Sequence, residues 1–488
     1  MTRTSNIILF TGVFIEMLTY QDLLAVGKDE SQRMDFIQRA IGEHKATKAY
    51  RLATDAELYY RHLNPTIMRY EKLVYDVFGK SHPDVFAANH KIPCRYYYYL
   101  INQGVMYLLS NGVSFSDEKT KDALGGVEFD HVIIDLAIKA LNAGVCFGFL
   151  NVDHVELLPI SGGPGEVSFV PLFDEDNGAL MAGIRFWQVD KEKPLRCTLF
   201  EVDGMTEYIK KDDVAMAVLS PKRAYKLKTR TSAATGTEIY AGENWATLPI
   251  VPLYNTNRQS ELVGAQENID SYDLMLSDMI NNVSEGNLIY WLIKNAGGMD
   301  DIDDQKFIER LKTVHVAHTE EGQEVTPVTV QAPYQANETT LERLRKQLFE
   351  DFMALDVQNI AGGAATATQI QAAYEPMNLK SGLLERQVTA FIMGLLKLLG
   401  IQNDAPTYTR DMIVNKQEEA QVLLSAAEYM SEEYLTEKLL TLFGDIDRAE
   451  EVKAQRLKED TSRYETPKEK TEDDAENEAV PEAETVEE

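Results

Sequence analysis

Two short stretches of this 488-residue chain contain residue types that could bind phosphate or a metal ion. Phe78-Gly79-Lys80-Ser81 ends like a phosphate-binding loop, but that motif needs a glycine five positions before its second glycine, where Val74 stands. Asp174-Glu175-Asp176-Asn177-Gly178 is similar to the start of a calcium loop, but its glycine comes one position early and Arg185 occupies the last ligand position. We therefore expect no nucleotide site at the first stretch and a simple turn at the second.

His315 and His318 are the next candidates, as metal ligands. On a strand, residues three apart lie on opposite faces, and only Glu320 or Glu321 is nearby as a further ligand. The motifs Gly-x-Ser-x-Gly and His-Glu-x-x-His do not occur. We expect no metal ion, no cofactor and no catalytic residue, so the protein is predicted not to be an enzyme.

Composition narrows the class of protein further. The formal charge is −30, and Glu465–Glu488 contributes eleven acids and two lysines, so the rest still carries about −21. Proteins that bind DNA tightly neutralise phosphates with Lys and Arg. This chain is therefore expected either to avoid DNA or to contact it without binding it tightly. Three scattered cysteines indicate a reducing cytoplasm, and the apolar run Asn6–Phe14 is too short to span a membrane.

Helical and β-rich segments alternate along the chain and predict an α+β fold. Residues 35–109 have helical spacing. Short β-rich runs follow between Val145 and Leu253, among them Val145–Val152, Val167–Phe173, Met181–Val189 and Leu195–Val202. A long helix is expected over Glu261–Ser284 and a second over Glu338–Val357, with Asn337 as its N-cap. Between them, the expected elements are strands at 287–293, 314–316 and 325–330 and a short helix at 303–312.

Each long helix has one apolar stripe, which we expect to be hard to cover in a monomer. We therefore expect the two helices to pack on each other and on adjacent subunits. The predicted packing residues are Ile269, Tyr272, Leu276, Met279, Leu344, Leu348 and Phe352. Arg343, Arg345 and Lys346 lie on the second helix, where they either face phosphate or pair with Glu342 and Glu350.

A segment of small, uncharged residues follows the second helix and predicts a flexible loop that has no charged side chain to bind a partner. Its residues are Ile360, Ala361, Gly362, Gly363, Ala364, Ala365, Thr366, Ala367 and Thr368. A further helix should end at Gly400, and one or two more are expected within Asn415–Phe443. From Thr461 onward, dense acids and prolines predict disorder.

The sequence around the first long helix resembles the stem segment of the portal proteins of tailed bacteriophages. The matching residues are Asn255, Asn257, Ile269-Asp270-Ser271-Tyr272-Asp273, Ser277-Asp278 and Asn281-Asn282. The resemblance implies a portal fold with a mixed α/β wing, two-helix stem, small α/β clip, long tunnel helix and helical crown. It divides the chain into wing 1–250, first stem helix 251–285, clip 286–337, second stem helix 338–358, tunnel loop and helix 359–400, and crown 401–460, ahead of the acidic tail 461–488.

The same resemblance implies a function. Portal proteins form dodecameric homo-oligomeric rings at one capsid vertex and pass double-stranded DNA during packaging and ejection. The implied partners are the terminase large subunit, a head-completion or adaptor protein, and the major capsid and scaffolding proteins, with no membrane. The implied location is the virion, after assembly in the host cytoplasm. Two alternatives stay open: a nuclease or ATPase subunit of the packaging machine, and an acidic adaptor or scaffold without a DNA channel.

Overall fold

The chain divides into two compact units, residues 1–412 and 413–488. The computed structural model describes residues 18–76, 78–85, 87–163, 165–211, 214–231, 238–285, 290–294, 306, 309, 324–328, 334–358, 367–410, 416–443, 451–452 and 454–455. Helices and antiparallel sheets are both well represented in these ranges, which confirms the α+β class.

The helices of the first unit lie before and after a long β-rich middle region. They are α1 (Tyr20–Val26), α2 (Glu30–Ala46), α3 (Lys48–Tyr60), α4 (Pro65–Arg69), α5 (Tyr96–Leu109), α6 (Glu118–Asp122), α7 (Val127–Ala143), α8 (Gln266–Glu285), α9 (Tyr334–Asp351) and α10 (Ala367–Leu399). None of the helices described is long and apolar enough to cross a membrane.

Strands β4 (Val145–Asn151) and β5 (His154–Pro159) form a sheet with β13 (Ile250–Tyr254), in the order β13-β4-β5. A five-stranded antiparallel sheet has the order β10-β9-β8-β7-β6, from β6 (Ser168–Phe173), β7 (Leu180–Trp187), β8 (Leu195–Glu201), β9 (Gly204–Lys210) and β10 (Ala217–Arg223). Two-stranded pairs join β1 (Leu73–Tyr75) with β2 (Ser81–Pro83), β11 (Lys226–Thr231) with β12 (Glu238–Glu243), β14 (Tyr290–Lys294) with β15 (Glu324–Val328), and β3 (Val113–Ser114) with β16 (Thr407–Tyr408).

The main core lies between the three-stranded sheet and helices α3, α5, α7 and α10. Helix α7 ends at Gly144, whose left-handed backbone (φ 85°) lets the chain turn directly into β4. Helix α10 packs on the sheet through Phe391, and a Cβ at Gly148 would lie 2.5 Å from that ring. Glycine at position 148 therefore permits the close approach of α10 to β4.

A second cluster fills the space between the five-stranded sheet and helices α1 and α2. Phe36 and Ile37 of α2 pack there against Ile184, Leu199 and Tyr208, all of which are buried. Cys197–Phe200 of β8 are all buried, and Phe169 and Phe200 of this sheet belong to the main core, so both faces of the sheet are covered in part. This sheet lies within Val145–Leu253, where β-rich runs were predicted.

The second unit contains α11 (Lys416–Ser425), a 3₁₀ turn (Ala427–Tyr429) and α12 (Glu432–Phe443). Two helices thus lie within Asn415–Phe443, where one or two were predicted. Strand β16, which lies within the predicted crown 401–460, pairs with β3 through Tyr408↔Val113.

Candidate functional site

Helix α8 begins at Gln266, five residues later than the sequence predicts. Gly264 precedes it with a left-handed backbone (φ 87°), which an α-helix does not tolerate. Residues 261–265 form turns instead, with the N–H of Ala265 donating to the carbonyl of Leu262. The late start shortens the helix but leaves all of its predicted packing residues on it.

One face of α8 carries buried polar side chains that accept hydrogen bonds from another segment's backbone. The N–H of Cys94 donates to Asp273 (2.7 Å). The N–H of Ile92 donates to Ser277 (3.0 Å), and that of His90 donates to Asn281 (2.7 Å). Four helical residues rise about 6.0 Å and two extended residues about 6.6 Å, so the two repeats match. We name this set of three bonds the α8 ladder.

Further polar contacts extend this face toward α3 and α4. The carboxylate of Asp273 also accepts from the side-chain amide of Asn64 (2.5 Å). The carboxylate of Asp270 accepts from the hydroxyls of Tyr59 (2.5 Å) and Thr66 (2.8 Å). Burial raises the pKa of Asp273, while the hydrogen bonds from Cys94 and Asn64 oppose that shift. The acidic residues on this face therefore fix α8 to the body of the protein.

The apolar stripe of α8, which was expected to be hard to cover in a monomer, is covered for most of its length within the same chain. Ile269 is fully buried, and Tyr272, Leu276 and Met279 are half-buried. The ring of Tyr272 meets that of Tyr96 edge-on, with 5.0 Å between centroids. Helix α9 supplies the rest of the cover. Only the C-terminal end of the stripe is open, where Ile280 is 36% and Val283 is 64% exposed.

Helix α9 begins at Tyr334, so Asn337 lies inside it and is not its N-cap, and it ends at Asp351. Leu344 is half-buried and Leu348 fully buried, as expected for the packing stripe. Phe352 is also buried but lies beyond the helix, because Met353 takes a left-handed backbone (φ 51°) and reverses the chain. The predicted continuation to Val357 is therefore wrong.

Arg345 holds the segment after this reversal in place. Its guanidinium donates two hydrogen bonds to Asp356, at 3.2 and 2.9 Å, and lies 5.2 Å from the ring centre of Phe349. The pairing with Glu342 or Glu350 that the sequence suggested is not what forms. Arg343 and Lys346 point to solvent on the same helix. The three cations thus divide into one bound inside the fold and two exposed.

A second tie joins the same reversal to α10. The ammonium of Lys380 donates to Glu261 (2.7 Å) and to the backbone carbonyl of Phe352 (3.0 Å). The other oxygen of Glu261 accepts from the side-chain amide of Asn255 (2.8 Å), which also donates to the carbonyl of Gln259. Asn255 of the Asn-rich turn is therefore a structural residue, and Lys380 links that turn to the end of the α9 region.

The predicted loop 360–368 falls between these two ties. Residues 360–366 lie outside the described residues. Ala367 and Thr368, which the sequence assigned to the loop, are instead the first residues of α10. The helix also contains Pro376, which lacks an N–H and so leaves the carbonyl of Ala372 without its helical donor.

An aromatic hollow of about 450 Å³ lies beside the last described residues before the loop. Tyr96, Tyr99, Tyr272 and Phe349 contribute rings to its wall, and the Arg345–Asp356 pair lies at its edge. Val357 and Gln358 complete the lining, so the hollow adjoins the point where the loop begins.

The segment between α8 and α9 contains the antiparallel pair β14–β15, with Leu292 opposite Thr326. This agrees with two of the predicted strands to within a few residues. Lys306 and Glu309 are helical, as expected for the short helix at 303–312. The strand predicted at 314–316, with His315 and His318, lies outside the described residues. Among the described residues, no group of three or more His, Cys, Asp or Glu side chains could hold a metal ion.

Sequence reasoning missed the α8 ladder and Lys380. Asp273, Ser277 and Asn281 are among the residues that resemble the portal stem segment. Their spacing of four was the signal that could have predicted a shared buried face. Short polar side chains at that spacing, between apolar positions, indicate hydrogen bonding to a neighbouring backbone. No local pattern singles out Lys380, because its partners are 119 and 28 residues away.

A model of the phage portal protein family of the SPP1 Gp6-like type matches residues 39–465. The portal protein of Clostridium phage phiCD119 is 26% identical over 69% of this chain and 78% of its own length. The portal protein of Bacillus phage SPP1 is 23% identical over 80% of this chain and 79% of its own length. A solved neck of an empty gene transfer agent particle covers 70% of this chain and 88% of its own, at 13% identity, and its TM-score of 0.39 is too low to carry an argument.

Because the family model spans most of the sequence, this chain belongs to the SPP1 Gp6-like family of phage portal proteins. The resemblance noted in the residues around α8 is thereby confirmed.

Proposed function

We propose that this chain is the subunit of a dodecameric ring at one capsid vertex, through whose channel double-stranded DNA is packaged and later ejected. The observation that carries the proposal is the packed pair α8 and α9, connected through β14–β15 and fixed to the body by the α8 ladder. Two packed helices, one of them hydrogen-bonded to residues 90–94 from Asp273 to Asn281, make a stiff stalk. Copies of such a stalk can be arranged around an axis.

The domains are assigned accordingly. The wing is residues 1–250, the stem helices are α8 and α9, the clip is residues 286–337, and the tunnel loop precedes α10. The crown comprises the helices that follow residue 412. The antiparallel pair β14–β15 and the helical residues 306 and 309 support a small mixed clip.

The charge of the chain supports passage of DNA without tight binding. A subunit of charge −30 repels phosphate, and this repulsion extends about 8 Å at physiological salt. DNA moving along such a channel would break few ion pairs at each step, because strong charge-assisted bonds to phosphate would be rare. Arg343 and Lys346 are exposed and could supply weak phosphate contacts, whereas Arg345 is held by Asp356.

The tunnel loop would present small, uncharged side chains to the DNA. The residues on both sides of the loop are held by hydrogen bonds. Arg345 donates to Asp356 before the loop, and Lys380 donates to Glu261 and to the carbonyl of Phe352 after it. A loop of Gly, Ala and Thr between two fixed ends can change conformation while its ends stay in place. We assign it the role of contacting the moving duplex.

The role proposed is structural rather than enzymatic, with the energy for packaging supplied by a separate ATPase. The expected partners are the terminase large subunit during packaging, a head-completion or adaptor protein afterwards, and the major capsid and scaffolding proteins during assembly. Assembly would take place in the host cytoplasm, and the finished ring would remain at the portal vertex of the virion.

Native mass spectrometry of the purified protein, with negative-stain images of the same sample, tests the proposal. A ring of about twelve subunits with a central hole is expected. A closed assembly without a hole would instead indicate an adaptor or scaffold. ATP hydrolysis or metal-dependent DNA cleavage by the purified protein would indicate an enzyme of the packaging machine.

A further inference from the structure

A small hairpin with uncovered apolar side chains extends from the first unit at residues 71–85. Its strands β1 and β2 pair in the register Leu73↔Pro83, Val74↔His82 and Tyr75↔Ser81. All six strand residues are exposed to solvent. An isolated two-stranded hairpin is only marginally stable in water, so this element needs support from its own turn or from a partner.

The turn of the hairpin is held by one carboxylate. One oxygen of Asp76 accepts hydrogen bonds from the N–H groups of Phe78 (2.9 Å) and Lys80 (2.8 Å). The other oxygen lies 3.2 Å from Nε2 of His82. Gly79 supplies the left-handed backbone (φ 75°) that the turn requires. The tip therefore has a defined conformation, although Phe78, Gly79 and Lys80 are exposed to solvent.

The defined tip displays Phe78, whose surface is 91% exposed. Other apolar residues of the hairpin are also uncovered, namely Val85 (82%), Tyr75 (71%), Leu73 (50%) and Val74 (40%). Single exposed apolar residues are ordinary, but a contiguous group on a projecting element is typical of an interaction site. Ser81 begins a strand and not a helix, so the phosphate-loop alternative for this stretch does not hold.

Charge favours a second copy of this chain as the partner. Each copy carries −30, so acidic surfaces repel one another when copies meet. The hairpin has three acids and two lysines and is almost neutral, which makes it one of the surfaces best suited to contact between copies. A closed ring joins two different surfaces on neighbouring subunits, so a projecting element can pack on a different face of the next subunit.

We propose that the hairpin 71–85 is an arm that docks on the neighbouring copy of the chain, with Phe78 as the buried anchor of the contact. The proposal rests on the ring assembly proposed above and specifies one of its contacts. Aromatic anchors near the centre of an interface account for a large part of its affinity, so loss of Phe78 should weaken assembly strongly.

The test compares the wild type, Phe78→Ser and the control Val189→Ser by native mass spectrometry over a concentration series. Val189 is 71% exposed on a different part of the first unit. We expect Phe78→Ser to raise the concentration needed for ring formation by roughly 30-fold or more and the control to leave it unchanged. The melting temperature of the unassembled chain should be the same for all three, because Phe78 touches no core residue.

Two further experiments separate the arm from the ring. Asp76→Ala removes the acceptor that orders the tip and should weaken assembly without deleting an apolar side chain. A photo-reactive residue that replaces Phe78 in an otherwise wild-type chain should crosslink to a second copy in purified rings. If Phe78→Ser assembles like the wild type, or if position 78 forms no crosslink between copies, the arm is refuted and the ring stands. A wild-type chain that forms no ring under any condition refutes both.

Discussion

The carboxylate of Asp273, buried in helix α8, accepts a hydrogen bond of 2.7 Å from the backbone N–H of Cys94. The two residues are 179 positions apart, so this single bond fixes α8 to the chain that leads into α5. Ser277 and Asn281 repeat the arrangement on the next two turns. The position of α8 relative to residues 90–94 is thus determined by the α8 ladder.

Replacing Asp273 tests the importance of this ladder. Asp273→Ala leaves the Cys94 N–H without an acceptor and leaves the Asn64 amide only its long bond of 3.4 Å to the carbonyl of Cys94, and a buried unpaired group costs about 1–3 kcal/mol. We expect a loss of about 2–4 kcal/mol in the free energy of unfolding, measured by urea denaturation. Asp273→Asn should cost less than about 1 kcal/mol, because it keeps an acceptor for Cys94 and the unpaired Oδ1 of Asn64 can rotate to accept from the new amide.

The exposed Ser271 on the same helix provides the control. Ser271→Ala should change the free energy of unfolding by no more than about 0.5 kcal/mol. Equal losses for the Ala and Asn variants at position 273 would show that hydrogen-bond acceptance by this side chain is not what stabilises α8.

The sequence predicted the order of elements well where periodicity is strong, as in β4, β6, β7 and β8 and in the stop of α10 at Gly400. It failed where a backbone conformation overrides periodicity. Gly264 delays α8 and Met353 ends the α9 region early, and both take left-handed backbone conformations that an apolar repeat does not reveal. The partner of Arg345 was missed for a related reason, since Asp356 is eleven residues away and reaches it only after the reversal at Met353.

His44 provides a pH prediction. Burial lowers its pKa to about 4, with Nε2 near the carbonyl of Ile160 at 3.2 Å. The folded pKa is below the unfolded value of about 6.5, so unfolding takes up a proton below that pH and stability falls as the pH drops from about 6.5 toward 4. The contribution of this one group to the free energy of unfolding is about 3 kcal/mol over that range.

His44→Gln removes the titrating ring and keeps an amide donor for Ile160. We expect the free energy of unfolding of this variant to vary less between pH 7 and pH 4 than that of the wild type, when both are measured by urea denaturation at matched ionic strength. Any acid effect of the many carboxylates is common to both chains. Parallel pH profiles for the two proteins would contradict the assignment of a buried neutral His44.

Arg345 and Arg343 form a matched pair on α9, one bound and one exposed. Arg345→Ala removes two donors from the mostly buried carboxylate of Asp356 and leaves it the N–H of Gln358, so we expect a loss of about 1–3 kcal/mol in unfolding free energy. Arg343→Ala should change it by less than about 0.5 kcal/mol. If the two variants were equally stable in thermal and urea unfolding, the Arg345–Asp356 pair would not be what holds the segment before the proposed tunnel loop.

The tunnel loop is tested by changing its size or charge while leaving its fixed ends intact. Replacing Gly363 with Trp adds bulk, and replacing Ala365 with Arg adds a cation that would form strong ion pairs with each passing phosphate. Both variants should assemble into rings like the wild type, because the ties from Arg345 and Lys380 lie outside the changed residues. Both should package less DNA in an assay that supplies purified terminase and proheads.

Ala365→Ser changes neither charge nor size much and should package normally, so a loss with all three variants would indicate a general assembly defect. Normal packaging by both the Trp and the Arg variants would exclude this loop from contact with moving DNA.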